Sequence, residues 1–305
     1  FLTYEWPNCN NTINIGLSCN SRFCPSYGNR YREEHTLSIS KKVISRPHRQ
    51  FAFSIAEELR RFFVEPADRD ALLDILFDSV TDAFNLLVKK SKKAKKENRQ
   101  FGYMLFLHTF GRDLKWNPHI HILIAEIKLA HNNSCIPWKF FDYDALSFRF
   151  QKILLDILSK ELGKSFEKDK NLLYKKYSKG FYVYAEPKKF KDLKSGIEYV
   201  TRYCGRVPIS ENRIVNYDGS NVTFSYIDHK DNKYKEITIS PSEFIMILLR
   251  HLLPSQFKII RYYGFYRKKH SIHSKMIPLI KQHCRNFRRQ LLKHRASINL
   301  SFNRD

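Results

Sequence analysis

The 305 residues are short of several things that define whole protein classes. Cysteine is scarce, at 6 residues, which is too few for a disulfide scaffold in a chain of this size. There is no internal repeat and no Gly/Ser-rich linker. No apolar run approaches the ~18–20 residues of a membrane-crossing helix, which excludes an integral protein of helical spans. Acid is in short supply too: 30 Asp+Glu stand against 54 Lys+Arg, leaving a formal charge of +24. What is present in quantity is apolar and aromatic. Hydrophobic residues make up 43% and aromatic ones 14%, enough to fill a core and to exclude wholesale disorder. Self-repulsion at this charge is a cost that a polyanion relieves, so nucleic acid is the leading partner and an acidic membrane surface the second. The charge is spread along the chain rather than held in one tail, which favours nucleic acid.

Three of the cysteines, Cys9, Cys19 and Cys24, cluster near the start, whereas Cys135, Cys204 and Cys284 are isolated. This pattern points to a reducing compartment and one metal module. The chain begins at Phe1 rather than methionine, which reads as a piece with residues upstream, and its first residues carry no apolar core of a signal peptide.

Residues 1 to 28, rich in Asn, Ser, Cys and Gly, read as a small loop-and-ribbon module, followed by a helix from about Arg30 to Ser45 that stops before Pro47. Gln50 to Ile55 reads as a strand. From Asp68 to Lys90, Leu72, Leu73, Leu76, Phe77, Val80, Phe84 and Leu87 recur at three and four, an amphipathic helix. It runs into a basic stretch, Lys89 to Arg99, read as a solvated loop or a DNA-backbone contact. Tyr103 to Thr109 and Ile120 to Ile127 are expected strands joined by a short hairpin-like link, Gly111 to Pro118. Helices are expected over 143 to 162, 189 to 204 and Ser242 to Leu252. Further strands are expected at Phe181 to Ala185, Val222 to Ile227 and Lys235 to Ile239, the last two joined by the polar turn Asp228 to Asn232. A basic amphipathic helix should follow Met276. Strands and helices mix without strict βαβ alternation, and the hairpins call for antiparallel pairing, so the expected fold class is α+β.

The sharpest local feature is Asn117-Pro118-His119-Ile120-His121-Ile122-Leu123. Side chains at i and i+2 of a strand share a face, so His119 and His121 present two imidazoles together while Ile120 and Ile122 enter the core. Two neutral imidazoles suit a divalent metal, although two unrelated strand histidines would show the same spacing. A zinc hydrolase of the lactamase type would want an Asp two residues after the second His, where this chain has Leu123. His108, near the end of the preceding strand, is the candidate third ligand across the hairpin, and Glu126 and Glu186 are weaker ones. On the 189–204 helix, Tyr199 and Tyr203 lie four apart and share a face, flanked by Arg202 and Arg206. On periodicity alone an aromatic core stripe fits that spacing better, and the same spacing occurs at Tyr27/Tyr31 and Tyr262/Tyr266. At neutral pH only ~0.1% of a phenol is ionised, so a phenol attacking a phosphodiester needs a polarised phosphate, which a metal at His119 and His121 would supply.

Taken together, three segments in order resemble a known family. Leu107 to His121 is very similar to the histidine region of the two-tyrosine HUH transposases of insertion-sequence-ninety-one type, which move by a rolling-circle route. Tyr199 to Ser210 resembles their tyrosine motif. Arg250-His251-Leu252-Leu253-Pro254, followed by Ile260-Arg261-Tyr262-Tyr263-Gly264, resembles their C-terminal signature. The resemblance implies an HUH-nuclease-like central antiparallel sheet flanked by helices. It implies Mg²⁺ or Mn²⁺ at His119 and His121, with His108 the candidate third ligand. It also implies Tyr199 and Tyr203 as nucleophiles that cut single-stranded DNA of transposon ends and target, leaving a 5′-phosphotyrosine and a free 3′-OH. Arg202, Arg206, Lys258 and Arg261 are candidates for the DNA path, and Trp116 is expected as an exposed ring for base stacking.

The N-terminus departs from the family's zinc-binding module. Trp6 and Tyr27 stand where cysteines would be expected, so each cysteine pair lacks one thiol. A structural zinc takes four ligands; Cys9, Cys19 and Cys24 offer three, and His35 is the conceivable fourth. The expected organisation is a degenerate zinc-ribbon-like module and linking helix over 1–46, a nuclease domain over 47–272 and a basic tail over 273–305. The expected setting is the bacterial cytoplasm, at the nucleoid. A DNA-binding relic that no longer cuts, and a rolling-circle replication initiator or relaxase, are the alternatives.

Overall fold

The computed structural model describes residues 46–89, 101–129, 135–138, 141–185, 208–228, 231–254 and 256–267, with the short pieces 2–5, 12–15, 34, 36–40 and 42–44 before them. Its centre is a five-stranded sheet. The strands are β3 (His48–Ser54), β4 (Gly102–Phe110), β5 (Trp116–Ala125), β8 (Val183–Tyr184) and β12 (Ile260–Gly264), in the order β12-β4-β5-β3-β8. Every neighbouring pair is antiparallel. The chain also forms two ribbons, β1 (Leu2–Glu5) with β2 (Thr12–Ile15) and β6 (Ile127–Leu129) with β7 (Cys135–Pro137). A separate three-stranded sheet has the order β11-β10-β9, from β9 (Ile214–Tyr217), β10 (Val222–Ile227) and β11 (Tyr234–Ile239). The fold is α+β.

Two helices cover one face of the central sheet. Helix α1 (Pro66–Lys89) starts with proline, whose missing N–H is no loss in a first turn, and buries Leu72, Leu73, Leu76, Phe77, Val80 and Phe84. Helix α2 (Tyr143–Leu162) is capped by Asp142, whose carboxylate accepts from the Ala145 N–H at 2.9 Å. It buries Leu146, Phe150, Leu154, Leu155 and Leu158 and packs on α1. Both meet the odd-numbered residues of β3: Phe51 and Phe53 lie against Phe84, and Phe53 also against Phe150, at ring separations of 5.2–5.6 Å. In register with them, Ile120, Ile122 and Ile124 of β5 are fully buried. The even-numbered residues of β3 and the odd-numbered residues of β5 therefore look out from the opposite face.

Several elements have no counterpart in the sequence reading, among them the 3₁₀ segment Glu57–Phe63, helix α3 (Glu167–Lys176) and strands β7, β9 and β12. Two expected elements are shorter than read. The link between β4 and β5 is only residues 111–115, because Trp116 to Pro118 already belong to β5, and the strand over Phe181 to Ala185 contracts to β8. Helix α4 (Pro241–Arg250), capped by Ser240 at 3.2 Å, starts one residue before the expected span and ends two residues short of it. The three-stranded sheet, α4 and the β4–β5 loop share a small core of Leu114, Ile209, Val222, Phe224 and Phe244. The helix expected from Arg30, the stretch after Lys89, the 189–204 helix and the basic tail fall wholly or partly outside the described residues.

Candidate metal centre

Strand register builds the site. In the β4–β5 pair His108 stands directly opposite His119, and Phe106 opposite His121. Opposed residues share a face of the sheet, as do i and i+2 on one strand, so all three imidazoles project from the side away from α1 and α2. Their ring centroids are 5.2 Å apart for His108 and His119, 4.2 Å for His108 and His121, and 5.0 Å for His119 and His121. One nitrogen from each lies within 4.8 Å of the others. A register irregularity between His108 and Phe110 ends the regular ladder immediately beyond the first histidine.

Burial sets the protonation state. His108 and His121 are buried and His119 half-buried. Desolvation pushes the His119 pKa down to about 4, partly offset by the bond between its Nδ1 and the Asn117 carbonyl and assisted by the charge of Arg60. His121 is driven well below its ordinary value, first by burial and then by His119. Both rings are therefore neutral at pH 7, the form in which imidazole ligates a metal.

The partners of these rings leave the right nitrogens over. His119 Nδ1 donates to the Asn117 carbonyl at 2.7 Å, which leaves Nε2 as the lone-pair nitrogen. His121 Nδ1 lies 2.8 Å from the Gln50 side-chain nitrogen, and Gln50 Oε1 is buried with no partner. Turning that amide over would bring Oε1 onto a protonated Nδ1, satisfy the orphaned oxygen and again free Nε2. Three imidazoles, two of them neutral and steered through Nδ1, fit a divalent cation. The set is all nitrogen, whereas Mg²⁺ prefers oxygen ligands.

Glu126, a weaker candidate ligand by sequence, is excluded from the site. It lies beyond the far end of β5, buried, and accepts from Arg49 Nε at 2.8 Å and Nη2 at 2.7 Å. Trp116 is corrected as well: it is buried rather than exposed, its ring stacked on His251 at 5.6 Å and 21°. Strand β5 starts there rather than at Ile120, so a residue read as part of the link is packed under α4's C-terminal end. Arg261 points to the helix-covered face, opposite the histidines. It stacks over Phe77 at 3.9 Å and pairs with Asp74. Lys258 is exposed. Tyr199, Arg202, Tyr203 and Arg206 lie outside the described residues, as do Cys9, Cys19, Cys24, His35 and Glu186.

Other residues contribute that the sequence reading missed. Gln50 is one. His251 is another: its Nε2 donates to the Leu114 carbonyl at 3.0 Å and its Nδ1 accepts from the Thr109 hydroxyl at 3.2 Å. It thereby ties the end of β4 to the loop, where Leu114 adopts φ 62°. Burial lowers the His251 pKa to about 4, against the pull of the Leu114 carbonyl, and Arg250 adds to the drop. Arg60, on Glu57–Phe63 just after β3, has its Nε buried with no hydrogen-bond partner close to His119. A glycine explains part of the C-terminal signature: Gly264 has φ 58°, and a Cβ there would lie 1.6 Å from the Phe101 carbonyl oxygen.

Comparison with known proteins places this site in context. Residues 102–273 match the family described as "Putative transposase" (Y2_Tnp), a span that contains the whole histidine hairpin. The chain is 27% identical over 266 residues to the transposase for insertion sequence element IS801 of Pseudomonas savastanoi pv. phaseolicola, covering 81% of this chain and 61% of that protein. It is 26% identical over 266 residues to the "Putative transposase y4qJ" of Sinorhizobium fredii, covering 81% of this chain and 65% of that protein. It thus spans a little over three-fifths of the length of these relatives. No solved structure matches it. With more than half of its residues inside the matched span, the chain belongs to this transposase family.

Proposed function

We propose that the protein is a metal-dependent tyrosine nuclease and strand transferase that cuts single-stranded DNA at the ends of a mobile element. The observation that carries the reading is the cluster of His108, His119 and His121, three imidazoles on one sheet face with ligand atoms within 4.8 Å of one another. The family match and a charge of +24 support DNA as the partner. The nucleophiles, Tyr199 and Tyr203, rest on the resemblance of residues 199–210 to the two-tyrosine motif.

When bound, Mg²⁺ or Mn²⁺ would polarise and orient the scissile phosphate. The rest is the work of the chain. Gln50 and the Asn117 carbonyl fix the rings of His121 and His119. The guanidinium of Arg60, whose charge acts on His119, would serve a phosphate oxygen. The phenol oxygen of Tyr199 or Tyr203 attacks phosphorus, the P–O3′ bond breaks, and the 3′ oxygen leaves as a hydroxyl once protonated. The phosphodiester is exchanged for a 5′-phosphotyrosine without hydrolysis, so the second tyrosine can serve a second transfer. DNA of element ends and target is the substrate, and the bacterial cytoplasm at the nucleoid is the setting.

The test uses Mn²⁺ and single-stranded oligonucleotides carrying element ends, labelled at either terminus. A 3′ label should migrate with the protein as a covalent adduct, while a 5′ label leaves on a shorter strand. Replacing Tyr199 and Tyr203 together by Phe should abolish the adduct, as should His119→Ala with His121→Ala. An adduct that survives the double Phe change refutes the nucleophile assignment, and one that survives loss of both histidines refutes the metal centre.

A further inference from the structure

Strand β8 and the residue before it carry two large exposed rings with no role in the core. Tyr182 is 60% exposed and Tyr184 45%, and their rings stack at 6.0 Å with an interplanar angle of 13°. Val183 between them packs inward against the core beneath α2. Alternation along the strand therefore puts both tyrosines on the face opposite α1 and α2. That is the histidine face, and register says where on it. Tyr184 pairs with Ala52, and Ala52 with His121. The Ser54 N–H donates to the Tyr182 carbonyl at 3.0 Å, and Ser54 pairs with His119. Two rows cross the sheet: Tyr182, Ser54, His119, His108 and Tyr184, Ala52, His121, Phe106.

Among the described residues, the small side chains of Ser54 and Ala52 stand between the rings and the imidazoles in these rows. Two strand spacings amount to about 10 Å, so a low floor runs from the tyrosine pair to the histidine cluster. Exposing two aromatic rings on a sheet edge forgoes burial, and on a soluble sheet face it is normally reserved for an interface. Burial and its neighbour hold the Tyr182 phenol above its ordinary pKa, so it is protonated and offers a π face rather than a nucleophile.

We propose that Tyr182 and Tyr184 form a base-stacking platform that holds the bases of a single strand while its phosphate chain lies over Ser54 and Ala52 at the histidine cluster. The occupant is single-stranded DNA because duplex bases present no open face to stack on, and because the neighbouring cluster and the positive charge call for a polyanion. The inference rests on the nuclease reading and adds to it the place where the bases are held.

The test is fluorescence anisotropy of the full chain with labelled oligo-dT, in chelator and over a salt series. Tyr182→Ala with Tyr184→Ala should weaken binding by about 10–100-fold, stacking being worth that much for one or two bases. The slope of log K against log salt should not change, since no phosphate contact is lost. Phe at both positions should restore the affinity that Ala removes. An abasic strand of equal length should bind wild type and the Ala variant alike, which separates lost stacking from a damaged fold. An Ala variant within twofold of wild type on oligo-dT, or equally weakened on the abasic strand, overturns the platform. If such a variant still forms the Mn²⁺-dependent adduct, the nuclease reading stands without it. If wild type binds no single strand, both fall.

Discussion

Buried neutral histidines make the apo-protein acid-sensitive in a defined window. His119 and His251 each titrate at about 4 in the folded chain against 6.5 when unfolded. Between those values the unfolded state binds more protons, so stability rises with pH and is lost as pH falls from 6.5 towards 4. Integrating from pH 7 to pH 5 gives about 2 kcal/mol for each ring, so about 4 kcal/mol for the two, and His121 acts in the same direction. The carboxylates of Glu58 and Asp156, held below their ordinary range chiefly by hydrogen bonds from Lys176 and Lys152, add the same sign only at lower pH. The assay is urea unfolding at pH 7, 6 and 5 with chelator present. His251→Gln is the control. It cannot take up the proton, so although less stable at pH 7 it should lose about 2 kcal/mol less on acidification. Equal stability at pH 7 and 5, or the same drop in the variant, would refute the claim that these rings are held neutral by burial.

Two further outcomes follow from single contacts. Gln50→Leu should weaken Mn²⁺ binding by about 10–100-fold, measured by calorimetry, because the lost amide steers the His121 ring. Gly264→Ala should destabilise by more than about 1–3 kcal/mol, seen as a lower thermal midpoint, because a positive φ and a backbone oxygen both oppose a Cβ there.

The metal hairpin was legible because every signal it needs is local. His119 and His121 declare their shared face by spacing, and apolar alternation declares the strands. His108 could be placed only as near the strand end; its alignment opposite His119 depends on a five-residue loop and a register irregularity that no periodicity reports. Helices α1 and α2 were readable from three-and-four spacing, whereas α3 was not. Its ten residues are mostly charged and bury only Leu173, so it carries no stripe. Strand β12 was read as a motif rather than a strand because its pairing with β4 lies more than 150 residues away in the chain. The contacts of Gln50 and His251 were not readable for the same reason: each acts on a residue 71 or 142 positions distant. Trp116 was misread because a residue flanking a turn gives no sign of what tertiary element will cover it.

The order in which the sheet is assembled divides the proposed chemistry in time. β3, β4 and β5, with Gln50 and all three histidines, are complete once residue 125 has been made; only the edge strands β8 and β12 come later. On a chain still being synthesised, an ion could be captured by these three strands before residues 199 and 203 exist. The ion would then act as a template for the register of the hairpin, and the nucleophiles would arrive at a centre already loaded.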